Sequence, residues 1–345
     1  MPLTHNTGSS DLQPKIGPEN SSEAFADQFL STPWPQRLGA KLTRLSDQEV
    51  HLELPFQKRL TNHAGLVHGG TIASMLHDAG YLLAQHCLHG TNISTLASTQ
   101  LDATEANLAQ QNTERQNVEE AGTEDHCVQH DKAPSVETID CQIFYLNAAK
   151  NTRLRFHATL LKQSKRLAFI EVSALDDDNK LICKCQCSFG TWESSAKNSH
   201  WQRDKLKPLN FAPESHPTKP FWDSMIHKPK KGMHLEQMGE GYCRIKVEPQ
   251  PRFLDINGEI SHGTLLSIAD NVGTLASTSV LTMASNGSTI DLSMTFCDRI
   301  ANESIICFGE FTSQKGSQLN SHFFVVGAES HQLKAFGTTT LWIKI

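Results

Sequence analysis

Apolar residues recur at helical spacing in two stretches of the chain: Ile72, Met75, Leu76, Ala79 and Leu83, then Leu265, Ile268, Ala269, Val272 and Ala276. A period near 3.6 residues predicts an amphipathic helix at each place. An alternating run precedes each helix, at residues 42–54 and 243–248. Runs rich in β-branched and aromatic residues follow, and these predict strands. After the first helix they are Thr138–Leu146, Arg153–Lys162, Ala168–Leu175 and Leu181–Trp192. After the second they are Thr289–Phe296, Ser304–Thr312, Ser321–Ala328 and Leu333–Ile343. One helix with roughly five or six strands predicts an α+β domain, an antiparallel sheet wrapped on a helix, present twice.

The repetition extends to individual residues. Residues 57–82 align with 250–275 without a gap, at a constant offset of 193 (250 − 57). Gln57/Gln250, Arg59/Arg252, Gly65/Gly258, Gly70/Gly263, Thr71/Thr264, Ser74/Ser267, Gly80/Gly273 and Leu82/Leu275 are identical pairs. Farther on, Thr138-Ile139-Asp140 matches Thr289-Ile290-Asp291, and Phe189-Gly190 matches Phe336-Gly337. Shared glycines carry most weight, because glycine marks sharp turns and close backbone approach. The chain reads as an internal duplication. A loose N-terminal tail is expected at 1–37, domain one at 38–193 and domain two at 221–345. The proline-rich, polar segment 194–220 is the expected linker, and the acidic, Gln/Asn-rich segment 101–135 an expected disordered insertion in domain one.

Charge changes this picture little. The net charge is -6 over 345 residues. Residues 102–132 alone hold eight acids against Arg115 and Lys132, which is the whole excess (8 − 2 = 6). Outside the insertion the chain is near neutral, so no nucleic-acid partner is expected. No run approaches the roughly 18 consecutive apolar residues of a membrane span. The first 30 residues carry no basic-then-apolar leader, and nine scattered cysteines form no disulfide framework, so a cytoplasmic setting is expected.

Metal chemistry is not expected. Cys183, Cys185 and Cys187 alternate along a strand and point to one face, which suits core packing better than zinc spacing. His126, Cys127 and His130 fall in the low-complexity insertion, and Asp176-Asp177-Asp178-Asn179 reads as a turn between strands.

The chemistry concentrates where each helix begins. Asn62 is followed six residues later by His68-Gly69-Gly70, then by the helix and the Thr-Ile-Asp strand. This pattern resembles the signature of hotdog-fold acyl-CoA thioesterases of the phenylacetate-pathway type. The resemblance covers both copies and implies two hotdog domains in tandem, packed as an intramolecular pseudo-dimer. It implies sites shared across the interface, each taking a turn from one domain and an acid, nine residues after the turn's His position, from the other. It implies hydrolysis of acyl-CoA to free acid and coenzyme A, with coenzyme A as part of the substrate and no separate cofactor. It leaves open whether the pair stands alone or two chains stack as a homodimer of double-hotdog units.

Mapped onto this chain, the resemblance is asymmetric. One composite site joins Asn62, His68 and Gly69 to the acid Asp270 and to Thr289, and is complete. The opposite site joins Asp255, Ser261 and His262 to Thr138 and to His77, which stands where the family has its acid. That site reads as degenerate, with Asp78, one residue farther on, as a rival to His77. Helix-start amides supply donors for an oxyanion, and glycine leaves room for the carbonyl to reach them. His68 has two readings, a fixed structural histidine or a catalytic one. Two other functions remain open: a non-catalytic acyl-CoA or acyl-ligand binding protein, and an enoyl-CoA hydratase. The second rests on Asp255-Ile256-Asn257 followed by His262, with Gly258 where the hydratase motif has proline.

Overall fold

A computed structural model describes residues 18–62, 65–89, 135–192, 232–281, 287–300 and 303–343. The proposed linker 194–220 and the histidine–cysteine group at 126–130 lie outside them, as does the acidic insertion up to residue 134.

Among the described residues, twelve strands form one antiparallel sheet. In the first half they are β1 (Lys41–Leu45), β2 (Glu49–Leu54), β3 (Ser135–Tyr145), β4 (Leu154–Gln163), β5 (Leu167–Leu175) and β6 (Leu181–Trp192). In the second they are β7 (Met233–Gly239), β8 (Tyr242–Val247), β9 (Gly287–Phe296), β10 (Ile305–Lys315), β11 (Gln318–Gly327) and β12 (Leu333–Ile343). The spatial order is β1-β2-β4-β5-β6-β3-β9-β12-β11-β10-β8-β7. Read from the β3–β9 junction outwards, the two halves run through the same sequence of elements. At the junction Asp140 pairs with Thr295 and Phe144 with Asp291, and Gln142 faces Ser293 at the centre. Gln142 therefore meets its own equivalent while Asp140 and Phe144 each meet the other's, as a two-fold contact requires.

Two long helices lie against the sheet, α3 (Gly69–His89) and α4 (His262–Thr278). Both were expected to be amphipathic, with one polar face. Instead every residue of α4 from Gly263 onward is buried, and α3 is buried from Gly70 to Gly80. The reason is packing on two sides, since each helix has the sheet on one flank and the other helix on its opposite flank. Small residues make this approach feasible. A β-carbon built on Gly70 would lie 2.9 Å from the Ser267 Cα, and one on Gly263 would lie 3.3 Å from the Ser74 Cβ. Ser74 Oγ donates across the same crossing to the Gly263 carbonyl at 2.5 Å.

The strands face their apolar side to these helices. Val50, Leu52 and Leu54 of β2 alternate buried with half-buried neighbours, as period-two patterning requires. Cys183, Cys185 and Cys187 all face the core, where Cys141 of β3 joins them; the Cys187 Sγ lies 3.1 Å from Cys141 and 3.2 Å from Cys185. Asp176 shapes the β5–β6 turn by accepting from the Asp178 and Lys180 amides, and Asn179 there has φ 62°.

Three expectations need correction. The run 42–54 is two strands, split at residues 46–48 by a turn in which Ser46 Oγ accepts from the Glu49 amide. Strand β7 lies ahead of the expected 243–248 run, where Gly239 and Gly241 break the alternation. Within the expected loose tail, residues 18–37 are ordered as α1 (Pro18–Leu30) and most of α2 (Pro33–Leu38). Proline at the first position of α2 fits a helix start, since its missing N–H would have no partner there. Trp34 and Leu38 are buried, and the Trp34 ring stands 6.4 Å from Phe253 of the second half. Apolar burial therefore anchors a segment whose polar composition reads as loose. Among the described residues no helix is long and apolar enough to cross a membrane.

Candidate active site

The same loop precedes α3 and α4. The His68 amide donates to Leu60 O and the Ser261 amide to Phe253 O, at positions 193 apart. Gly65 and Gly258 have φ +74° and +75°, a left-handed conformation that only glycine adopts cheaply. Asn62 Oδ1 accepts from the Leu66 amide, and Asp255 Oδ1 accepts from the Asn257 and Glu259 amides. Both side chains thus shape their loops. The helix starts are capped at equivalent positions by different chemistry. Ser261 Oγ accepts from the Thr264 amide at 3.1 Å, whereas His68 uses its ring, with Nδ1 accepting from the Gly70 amide at 3.2 Å. That bond supports the structural reading of His68, and it leaves the proton of the neutral ring on Nε2.

Asp270, on the second helix, lies against the first turn. A β-carbon built on Gly69 would sit 3.0 Å from Asp270 Oδ2. Asp270 Oδ1 accepts a 2.7 Å hydrogen bond from Thr289 Oγ1 of β9. Tyr145 Oη donates to the Gly69 carbonyl at 3.2 Å and so walls the same space. As the first residue of α3, Gly69 offers an N–H with no acceptor inside the helix. Asp270 is 4% exposed, while Gly69, Thr289 and Tyr145 are half-buried.

Burial governs the electrostatics here. It lifts the Asp270 carboxyl above the usual carboxylate range, against the opposing pull of His68, the Thr289 hydroxyl and the Gly70 amide. Burial also holds His68 below the usual imidazole value, opposed by Asp270. The Tyr145 phenol is pushed well up by burial and then by Asp270, so it stays a donor. The arrangement is a buried carboxylate, raised by that burial, beside a helix start.

The opposite turn is built differently. His77 occupies the place equivalent to Asp270, and its Nε2 meets Thr138 Oγ1 at 2.9 Å, as Asp270 meets Thr289. His77 Nδ1 lies 3.2 Å from Asp78 Oδ1. His262 Nδ1 reaches the same Thr138 oxygen at 2.8 Å. Asp78, not His77, lies against the glycine of this turn: a β-carbon on Gly263 would be 3.1 Å from Asp78 Oδ1 and 3.2 Å from Trp34 Nε1.

The structure thus brings together Asp270, Thr289, Gly69 and His68 at one turn, and His77, Thr138 and His262 at the other. It places Asn62, Asp255 and Ser261 in the supporting loops and cap. Sequence reading missed Tyr145, which sits at the end of a predicted strand with no local signal. It also missed Trp34, hidden in the expected tail. Among the described residues, Cys141, Cys185 and Cys187 are a set of three potential metal donors, with ligand atoms within 4.8 Å of one another.

No family model and no curated protein matches the chain by sequence. Solved structures do match by shape. The tesB protein of Mycobacterium avium subs paratuberculosis shares 12% identity over 88% of this chain and 96% of its own, with a TM-score of 0.55. The acyl-CoA thioesterase II TesB2 of Mycobacterium marinum shares 12% over 92% and 98%, at 0.52. A conserved protein of unknown function with a hot dog fold, from Alicyclobacillus acidocaldarius, shares 11% over 88% and 96%, at 0.53. None of these three bears the name of the phenylacetate-pathway type that the turn motif resembles. At such identities the likeness concerns the fold, and the chain has the hotdog fold.

Proposed function

We propose that this chain is an acyl-CoA thioesterase, built as a tandem double hotdog, that hydrolyses acyl-CoA to a free acid and coenzyme A. Residues 38–193 and 221–345 form the two domains and pack as a pseudo-dimer. One observation carries the reading: the Asp270 carboxylate of the second half lies against Gly69 of the first, held by Thr289. Shape relatives named tesB and acyl-CoA thioesterase II favour the same class.

In this proposal the thioester carbonyl oxygen lies at the start of α3. There the Gly69 N–H and the positive end of the helix stabilise the oxyanion as it forms. A β-carbon on Gly69 would crowd that position. Asp270 acts from the other side, as general base on a water or as the attacking group itself. Thr289 fixes Oδ1 by donating to it, which leaves Oδ2 turned to the turn and to substrate. His68 positions the turn through its bond to the Gly70 amide. Collapse of the tetrahedral centre breaks the C–S bond and releases the coenzyme A thiol.

Thiol release across a panel of acyl-CoAs, for the wild type and Asp270→Asn, tests the proposal. Release by the wild type that the variant loses supports it. Binding without release selects a non-catalytic acyl-CoA binding protein. The hydratase reading is disfavoured by Asp255, whose Oδ1 is already used by two amides of its own loop. For assembly, Phe144, Phe169, Phe336 and Trp342 are exposed large apolar residues, and we propose that they meet a second chain. Sedimentation at varied concentration decides between monomer and dimer.

A further inference from the structure

We propose that the second turn is a second catalytic centre of different chemistry, in which Thr138 is an acyl-accepting nucleophile activated by His77 and oriented by Asp78. The reading of these turns as acyl-thioester sites underlies the choice of substrate class, whereas the relay itself is read from its own hydrogen bonds.

Asp78, His77, Thr138 and His262 form one unbroken series of contacts at 3.2, 2.9 and 2.8 Å. Burial raises the Asp78 carboxyl, and its hydrogen bond to His77 opposes that rise; in the ionised form Asp78 can only accept, and His77 Nδ1 then carries the proton they share. His77 Nε2 is then a bare lone pair, and the Thr138 hydroxyl donates to it. The Thr138 oxygen in turn accepts from His262 Nδ1–H. This polarity matches the acid–imidazole–hydroxyl relay of acyl-transfer enzymes, in which the hydroxyl proton already points at its base.

Surroundings and symmetry support the assignment. Asp78, His77 and Thr138 are 2%, 3% and 4% exposed. Asp78 Oδ2 is buried and has no hydrogen-bond partner in the structure. A carboxylate oxygen in that state carries an unmet requirement that a bound group or water at the turn would satisfy. The helix start beside it presents the Gly263 amide, at the place equivalent to Gly70 of the first turn, with Asp78 Oδ1 against that glycine. His77 stacks on Tyr81 at 5.9 Å and is flanked by Phe189 and Phe296, which form an apolar wall suited to an acyl chain. Tyr81, His262 and Phe296 are half-buried and open this wall to solvent.

The step balances without an added reactant. Thr138 Oγ1 bonds to the thioester carbon while its proton passes to His77 Nε2. The C–S bond breaks, and His77 returns that proton to the departing thiolate. Water then attacks the Thr138 ester, gives a proton to His77, and the hydroxyl is restored as the acid leaves. Deep burial of Thr138, against the half-buried Thr289, makes this centre the slower one.

The test uses the full chain carrying Asp270→Asn, which silences the first site, exposed to an alkyl β-lactone. Attack by a hydroxyl opens the strained ring and leaves the whole probe attached. Peptide mass spectrometry is expected to find the adduct on Thr138. Adding His77→Gln is expected to slow labelling at least tenfold, and adding Thr138→Val to abolish it, in proteins with unchanged circular dichroism. Thr138→Ser, which keeps the relay, is expected to label at least as fast, and it decides the matter if another variant misfolds. No adduct at residue 138 in either the Thr or the Ser protein overturns the proposal, as does labelling indifferent to His77→Gln. Failure of the Asp270 reading would show separately, as undiminished thiol release in Asp270→Asn.

Discussion

Replacing Gly69 by alanine adds a single methyl group at the centre of the proposed site. The backbone accepts it, since Gly69 is not among the glycines with positive φ. Gly69 is the first residue of its helix, so the advantage of about 1 kcal/mol that alanine has in a helix interior acts there only in part, and it offsets the close contact so that stability is expected to hold. The methyl would stand 3.0 Å from Asp270 Oδ2 and 3.5 Å from the Tyr145 ring. That is hydrogen-bonding distance from the carboxylate, the position where an attacked carbonyl or a water must lie. If the carbonyl can no longer reach the helix-start amide, the cost is that of losing one oxyanion donor, about 2.7–4 kcal/mol or a hundred- to a thousand-fold in kcat. Thiol-release kinetics and a thermal melt on the same sample measure both. A variant that melts no lower and turns over at least a hundred-fold more slowly supports the site. Wild-type kcat in a folded Gly69→Ala protein would remove Gly69 from it.

Other outcomes follow from the same geometry. Burial raises the Asp270 carboxyl, so its ionisation opposes folding: that contribution is favourable below the ordinary Asp range and is lost as pH rises through the raised value. Asp270→Asn is therefore expected to melt higher than the wild type at pH 7, with the gap narrowing towards pH 4; a lower melt at pH 7 contradicts this. His68, held below its usual value and neutral at pH 7, does not enter that comparison. Thr289→Val deletes a hydrogen bond to a charged group, about 1.5–3 kcal/mol, and is expected to move the acid limb of the kcat/KM profile to higher pH; an unmoved limb argues against Asp270 as the base. Gly70→Ala drives a carbon to 2.5 Å from Ser267 Oγ and 2.9 Å from its Cα, an overpacking expected to cost about 1–3 kcal/mol in denaturant unfolding. Gly263→Ala, whose nearest neighbour is at 3.1 Å, is expected to cost less.

Both helices, the junction strands and the asymmetry of the two turns were legible in the sequence because they rest on local signals. Helical periodicity, β-branched runs and glycines at an offset of 193 each state a backbone requirement. What escaped depends on contacts between distant segments. The even burial of α3 and α4 follows from their crossing at Gly70 and Gly263, which neither helix states alone. Tyr145 joins the first site because β3 ends beside the start of α3, and its Oη finds Gly69 O across 76 positions. The tail was misread because Trp34, whose burial anchors it, finds its partner Phe253 in the other half. His77 was legible as a lost acid, but its bonds to Asp78 and Thr138 are tertiary facts.

The most direct test of a site shared between the halves is thiol release by Asp270→Asn beside His77→Gln, at saturating acyl-CoA and pH 7. A positioned general base contributes about a hundred- to ten-thousand-fold, so Asp270→Asn is expected to lose at least a hundred-fold in kcat. His77→Gln, which touches only the slower turn, is expected to keep most of it. Equal losses from the two variants, or an Asp270→Asn enzyme within a factor of about two of wild type, would contradict the account.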